Sequence, residues 1–186
     1  MTAIAGSTVL VTGGSRGIGK ALVEDLYTRG AKKVYATASY LTSPIEDVRR
    51  EFETNFYGPL LTTRAFVPII EANGGGHLLN VHSVVSWIAL GGSYSASKAA
   101  LWSQTDSLRL DLKPRGINVT GLHVGYVDTD LAAHIDAPKS SPAGVAALAL
   151  NGVETDAYEV LADEVTRQVK VGLSGDLGAL YPQLAH

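Results

Sequence analysis

The 186-residue sequence contains no cysteine. Disulfides, thiolate nucleophiles and cysteine-bound zinc are therefore excluded together, and an oxidising compartment would do nothing for the fold. Basic character is also scarce: 15 Lys and Arg stand against 18 Asp and Glu, for a net charge of −3, and they form no run. That balance offers no general attraction to nucleic acid or to an anionic membrane. No apolar stretch is long enough to span a bilayer, and the opening residues MTAIAGSTVLVTGG lack the basic lead of a secretory signal. A cytoplasmic protein with no nucleic-acid and no membrane partner is expected. The five histidines, at 77, 82, 123, 134 and 186, show no ligand spacing, so no metal is expected either. His82 and His123 fall near strand ends, where a polar partner is expected for each.

What is present is alternation. Thr8–Thr12 reads as a strand, followed by glycines and a helix from about Gly17 to Tyr27 that Gly30 stops. Lys33–Ala38 reads as a second strand, completing one right-handed βαβ unit. Pro44 opens a long helical segment to about Ala72, which Pro59 and Pro68 are expected to bend or divide. Strands follow at His77–Ser83 and Ile117–His123, with a helix from about Ser93 to Lys113 between them. A helix from Ser141-Pro142 to about Leu150, a short strand at Glu159–Ala162 and a helix near Glu164–Leu173 complete the chain. Strands alternating with helices over a length suited to one domain imply a single α/β domain, residues 1–186, built on a doubly wound parallel sheet of Rossmann-like type in three α/β/α layers.

The stretch VLVTGGSRGIGKAL, Val9 to Leu22, has the form of a phosphate-binding turn, and two frames fit it. Gly14, Gly19 and Lys20 match a P-loop, whereas Gly13, Gly17 and Gly19 match a dinucleotide-binding strand-turn-helix. Ala21 argues against the P-loop, because its methyl group stands where Ser or Thr must ligate Mg²⁺. Further on, Tyr94-Ser-Ala-Ser-Lys98 places a phenol and an ammonium on one helical face. A cation beside the phenol would favour its ionised form and bring its proton exchange nearer neutral pH. Ser83 ends the strand HLLNVHS, at the sheet edge where open α/β folds bind ligands, and its hydroxyl there could hydrogen-bond a carbonyl oxygen.

Taken in order, TGGSRGIG, ETN, NVHS and YSASK resemble the short-chain dehydrogenase/reductase family over almost the whole chain. The resemblance implies a Rossmann-like fold and hydride transfer between a nicotinamide cofactor and a carbonyl or alcohol. It makes Tyr94 the acid/base, Ser83 the carbonyl-polarising hydroxyl, and Lys98 both the charge beside Tyr94 and a ligand of the nicotinamide ribose. Asn55 would hold a water linking Lys98 to solvent. Gly13, Ser15, Arg16, Gly17, Ile18 and Gly19 become the cofactor turn, and Val127 with Thr129 would grip the carboxamide. The second strand carries no acid for a ribose 2′-hydroxyl, and Arg16 could fork onto a 2′-phosphate, so NADP(H) is favoured over NAD(H). Trp87, Ile88 and Tyr126 could line a pocket for a small or medium apolar substrate. Leu60, Leu61, Phe66, Leu101, Trp102 and Leu108 are too many for one helical stripe, which implies a homodimer or homotetramer.

The sequence also departs from the family. Between Ala38 and Pro44 it passes almost directly from the second strand into the Asn55 helix, where the family has roughly fifty further residues, more than one βαβ unit. A sheet lacking that segment would have a hole at its centre, so the working protein is expected to carry a further segment near residues 38–39. Two other readings stay open: a non-catalytic, sensor-like dinucleotide-binding protein, and, more distantly, a P-loop nucleotidase.

Overall fold

A computed structural model describes residues 8–12, 33–37, 43–129, 132 and 135–184. Among them, strands form where β-branched and apolar residues run together: β1 Thr8–Thr12, β2 Lys33–Thr37, β3 Gly76–Val81, β4 Ile117–His123 and β5 Glu159–Leu161. The helices are α1 Ile45–Phe52, α2 Gly58–Ala72, α3 Ser93–Leu112, α4 Pro142–Glu154, α5 Glu164–Gly172 and the short α6 Leu177–Leu180. The glycine turn and the helix expected over residues 17–27 lie outside the described residues.

The long segment after Pro44 is helical throughout, and its division comes at a π-helical turn, Glu53–Tyr57, between α1 and α2. Pro59, in the first turn of α2, supplies a physical reason. It has no N–H, so the Asn55 carbonyl four residues back cannot receive an α-helical bond, and the ladder widens there. Pro68 sits inside α2 without ending it.

All strand pairings are parallel. β1 pairs with β2 from Thr8↔Lys33 to Thr12↔Thr37, and a separate sheet runs in the order β3-β4-β5. Its register aligns Gly76 with Ile117, Val81 with Leu122, and Gly121 with Glu159. Gly75 and Gly116 start that register: both have positive φ, at 104° and 73°, and their backbones meet so closely that a side chain on Gly75 would strike the Gly116 carbonyl. The described residues thus form two parallel sheets with no ladder between them. β3 is an edge strand, and Leu79 and Val81 on it are exposed.

Alternation along β4 builds the layers. Ile117 and Val119 pack with Val67 of α2 and Leu112 of α3. Thr120 points the other way, toward α4, which comes close through Gly152; a methyl group there would collide with Val160 of β5. Helices accordingly cover both faces of the three-stranded sheet.

A second core holds Val84, Trp87 and Ile88 against Trp102 of α3 and Val169 of α5. This corrects the expectation that Trp87 and Ile88 line a substrate pocket: each is only 9% exposed and belongs to the core, whereas Tyr126 is 52% exposed. The Trp87 ring stacks on His123 with centroids 3.9 Å apart, and His123 stacks on His82 at 4.6 Å. Contrary to expectation, the His82 ring has no hydrogen-bond partner although it is fully buried, while the equally buried His123 ring meets the Ser83 backbone. His123 Nε2 stands 3.7 Å from Glu159 Oε1, beyond hydrogen-bond length. Among the described residues no cluster could hold a metal.

The histidine stack makes stability depend on acid. Burial first, then neighbouring positive charge, pushes both His82 and His123 from 6.5 down to about 3, so the fold holds them neutral. Their contribution is complete above the unfolded value and is lost as pH falls from 6.5 toward 3, because the unfolded chain then binds the extra protons. The expected slope is up to about 1.4 kcal/mol per pH unit for each ring. Urea midpoints should therefore fall steeply between about pH 6.5 and pH 4.5, and His123→Phe should flatten the fall. Equal midpoints at both pH values in the unsubstituted protein would contradict this.

Candidate active site

Parallel strands end at a common edge, and the site is assembled there. Ser83 follows β3 and caps the 3₁₀ turn Val84–Ser86, its N–H donating to Ser86 Oγ at 3.2 Å and its Oγ accepting from Val85 N–H at 3.4 Å. The Val84 N–H donates to the Val124 carbonyl at 2.9 Å, tying this turn to the loop after β4. α3 begins behind a glycine turn in which Gly92 has φ of 56° and Gly91 N–H donates to Ser95 Oγ at 2.7 Å. Tyr94 therefore stands in the first turn of α3, with Lys98 one turn further on.

The structure brings Ser83, Tyr94 and Lys98 together, with a different electrostatic balance from the one expected. Burial raises the Tyr94 phenol above its ordinary range; the Ser83 hydroxyl bonded to it works in the opposite direction, and the charge of Glu51 raises it further. The net displacement of the phenol is upward, with burial the largest cause. Lys98 Nζ lies 5.8 Å from the Tyr94 ring centre and donates to the Val81 carbonyl at 3.0 Å, while burial lowers its own pKa. Tyr94 is consequently a protonated acid at neutral pH.

Asn55 lies in the π-helical turn, and its Nδ2 donates to Ser97 Oγ at 3.0 Å. Ser97, wholly buried, donates its own hydroxyl hydrogen bond to the Tyr94 carbonyl at 2.8 Å. Asn55 is thereby coupled to the Tyr94 turn through a serine that sequence reasoning did not single out, although it lies inside YSASK. Asp163 was also missed. Its Oδ2 accepts from Gly125 N–H at 2.6 Å while Oδ1 caps α5 through Thr166 N–H at 2.8 Å, so one carboxylate anchors both a helix and the loop leading to Val127 and Thr129. The signal for it was an Asp three residues ahead of Thr166 at a helix start. Val127 bridges to Ser140, and Thr129 is exposed with its Oγ1 donating to Val127 O at 3.3 Å.

The donor set suits the sugar hydroxyls of a nicotinamide nucleotide. Lys98 uses one of its three N–H groups on Val81, and the Tyr94 ring centre lies 5.8 Å from its Nζ. Gly13, Ser15, Arg16, Gly17, Ile18 and Gly19 lie outside the described residues.

The family model described as short chain dehydrogenase matches residues 38–140. An NADPH-dependent 1-acyldihydroxyacetone phosphate reductase of Schizosaccharomyces pombe is 40% identical over 90 residues, covering 47% of this chain and 30% of that protein. The chain spans about a third of the length of the curated relatives it matches. A short chain dehydrogenase from Burkholderia cenocepacia J2315, solved in complex with NADP, superimposes with a TM-score of 0.73 at 28% identity, covering 100% of both chains. A short chain dehydrogenase/reductase from Burkholderia phymatum in complex with NAD has a TM-score of 0.63 at 17% identity, covering 91% of this chain and 94% of that one, and is alike in fold. With a family model matched over more than half of its length, and with Ser83, Tyr94 and Lys98 gathered at one sheet edge, this chain belongs to the short-chain dehydrogenase family.

Proposed function

We propose that the chain is an oxidoreductase that transfers a hydride between NADP(H) and a small or medium apolar carbonyl or alcohol. The observation that carries this reading is the Ser83–Tyr94 hydroxyl pair at the strand end with Lys98 one helical turn away. When bound, the nicotinamide supplies or accepts the hydride. Ser83 donates a hydrogen bond to the substrate oxygen and polarises the carbonyl. Tyr94 transfers its phenolic proton to that oxygen as negative charge develops there, and Lys98 stabilises the phenolate left behind. In the oxidative direction the phenolate takes the proton back. Residues 33–37, KVYAT, contain no acid to select a free 2′-hydroxyl, Arg16 is suited to a 2′-phosphate, and a relative is NADPH-dependent. Leu90 and Tyr126, both exposed on loops near the strand ends, offer apolar surface to a substrate.

The same proposal includes assembly as a homodimer or homotetramer, supported by Leu61, Phe66 and Ile69 of α2 and Leu110 of α3, all exposed. No helix among the described residues is long and apolar enough to cross a membrane, and the cytoplasm is the proposed site of action, resting on the absence of cysteine. We further propose that the working protein carries an additional segment near residues 38–39. Support comes from the unpaired edge of β3 and an apolar groove of about 430 Å³ along it, lined by Phe66, Ile70, Leu78 and Leu79. The divided sheet otherwise favours a second reading, a dinucleotide-binding sensor without turnover.

An intact mass measured on the natural protein separates these readings: a mass well above 19.5 kDa is expected, and 19.5 kDa would favour the sensor. Tyr94→Phe should lower the rate of carbonyl reduction by about 10²-fold or more while leaving the NADPH dissociation constant nearly unchanged. Near-normal turnover in that variant would remove Tyr94 from its role. Asp163→Ala takes away a helix cap and the Gly125 contact at once, and should cost about 1–3 kcal/mol in denaturant unfolding, with Asp163→Asn milder. An unaltered midpoint for the alanine variant would refute the anchoring role.

A further inference from the structure

We propose that Lys170 of α5 is a positioning residue for Ser83: its ammonium, seated in the corner between the Trp87 and Trp102 rings, fixes the turn that presents the Ser83 hydroxyl against the helix that carries Tyr94 and Lys98.

The corner joins the two elements whose relative placement the site requires. Trp87 closes the 3₁₀ turn that Ser83 opens, its N–H donating to the Val84 carbonyl at 3.1 Å. Trp102 stands on α3 one helical turn beyond Lys98. The two rings meet edge to face, with centroids 6.1 Å apart and planes at 85°. A buried tryptophan ordinarily anchors itself through its indole N–H. Here neither indole N–H has a hydrogen-bond partner, so packing and charge hold the rings. Lys170 supplies the charge: Nζ lies 4.9 Å from the Trp87 ring centre and 5.5 Å from that of Trp102, both within cation–π reach.

A second contact keeps the ammonium there. Glu159, the first residue of β5, meets Nζ with both carboxylate oxygens, at 2.9 and 2.7 Å. The Lys170 and Glu159 side chains are 32% and 25% exposed, and a charge so far withdrawn from water is costly without close partners. Two aromatic rings and one carboxylate meet that need. Val169 of α5 packs into the same core, but apolar contact has no direction, whereas the ammonium ties together two perpendicular rings. The inference rests on the reading of Ser83 and Tyr94 as the reacting pair, for which a displacement of about 1 Å is enough to slow the chemistry.

Amide hydrogen exchange of the full chain tests the hold directly. Lys170→Met, which keeps the stem and loses the charge, should speed exchange over residues 84–87 by about tenfold, and Lys170→Arg should restore it. Arg167→Met, which removes an exposed cation from the same helix, should leave it in place. The sequence holds only these two tryptophans, so the near-ultraviolet circular dichroism of the indole bands should weaken in Lys170→Met and persist in Lys170→Arg. In carbonyl reduction, Lys170→Met should lower kcat about tenfold with the NADPH dissociation constant nearly unchanged, and should lower it no further in a Ser83→Ala background. Lys170→Gln serves if the methionine variant is unstable. Exchange over 84–87 unmoved by Lys170→Met, or moved equally by Arg167→Met, would overturn the inference, as would a rate loss that adds to that of Ser83→Ala. Absence of turnover in the unsubstituted chain would overturn only the reading of Ser83 and Tyr94 as the reacting pair, and exchange would then decide the hold on the turn.

Discussion

The parallel register of β3 on β4 is the constraint on which the site depends. Because the two strands run the same way and start together at the Gly75–Gly116 contact, they also finish together, one delivering Ser83 and the other Gly125. A slip of one residue would turn Ser83 to the opposite face and separate it from Tyr94. The cores on either side resist such a slip. Ile117 and Val119 are locked among α2 and α3, and Gly152 lets α4 close on the other face with no room for a side chain.

Burial then decides the chemistry of charges near this edge. His82 and His123 are held neutral in an aromatic stack directly beneath Ser83 and Val124, so no imidazolium competes with Lys98 as the local positive charge. Lys98 is itself partly desolvated, which strengthens its field at short range and makes its single bond to Val81 O important for placement. Burial raises the Tyr94 phenol, which is therefore protonated at neutral pH. The positional network, from Asn55 through Ser97 to the Tyr94 carbonyl, operates by hydrogen bonds alone and is insensitive to these charges.

The sequence by itself determined the elements and the spacing of the candidate site residues. Strand positions followed from β-branched runs bounded by glycine and proline, and the spacing from Tyr94 to Lys98 followed from helical periodicity, because both are local properties of the chain. Ser83 at a strand end was legible for the same reason, whereas Asn55 was singled out only by the resemblance that ETN carries. Only the tertiary structure decided what surrounds them. Whether Trp87 and Ile88 face a ligand or a core depends on α5 and Trp102, far away along the chain, and they proved to be core. The burial of His82 and His123 arises from rings of distant segments stacking together. The upward displacement of Tyr94, and the contacts of Ser97 and Asp163, rest on groups brought close from other elements. Such contacts leave no periodic trace in sequence, since desolvation and through-space charge depend on distance in the folded molecule and not on separation along the chain.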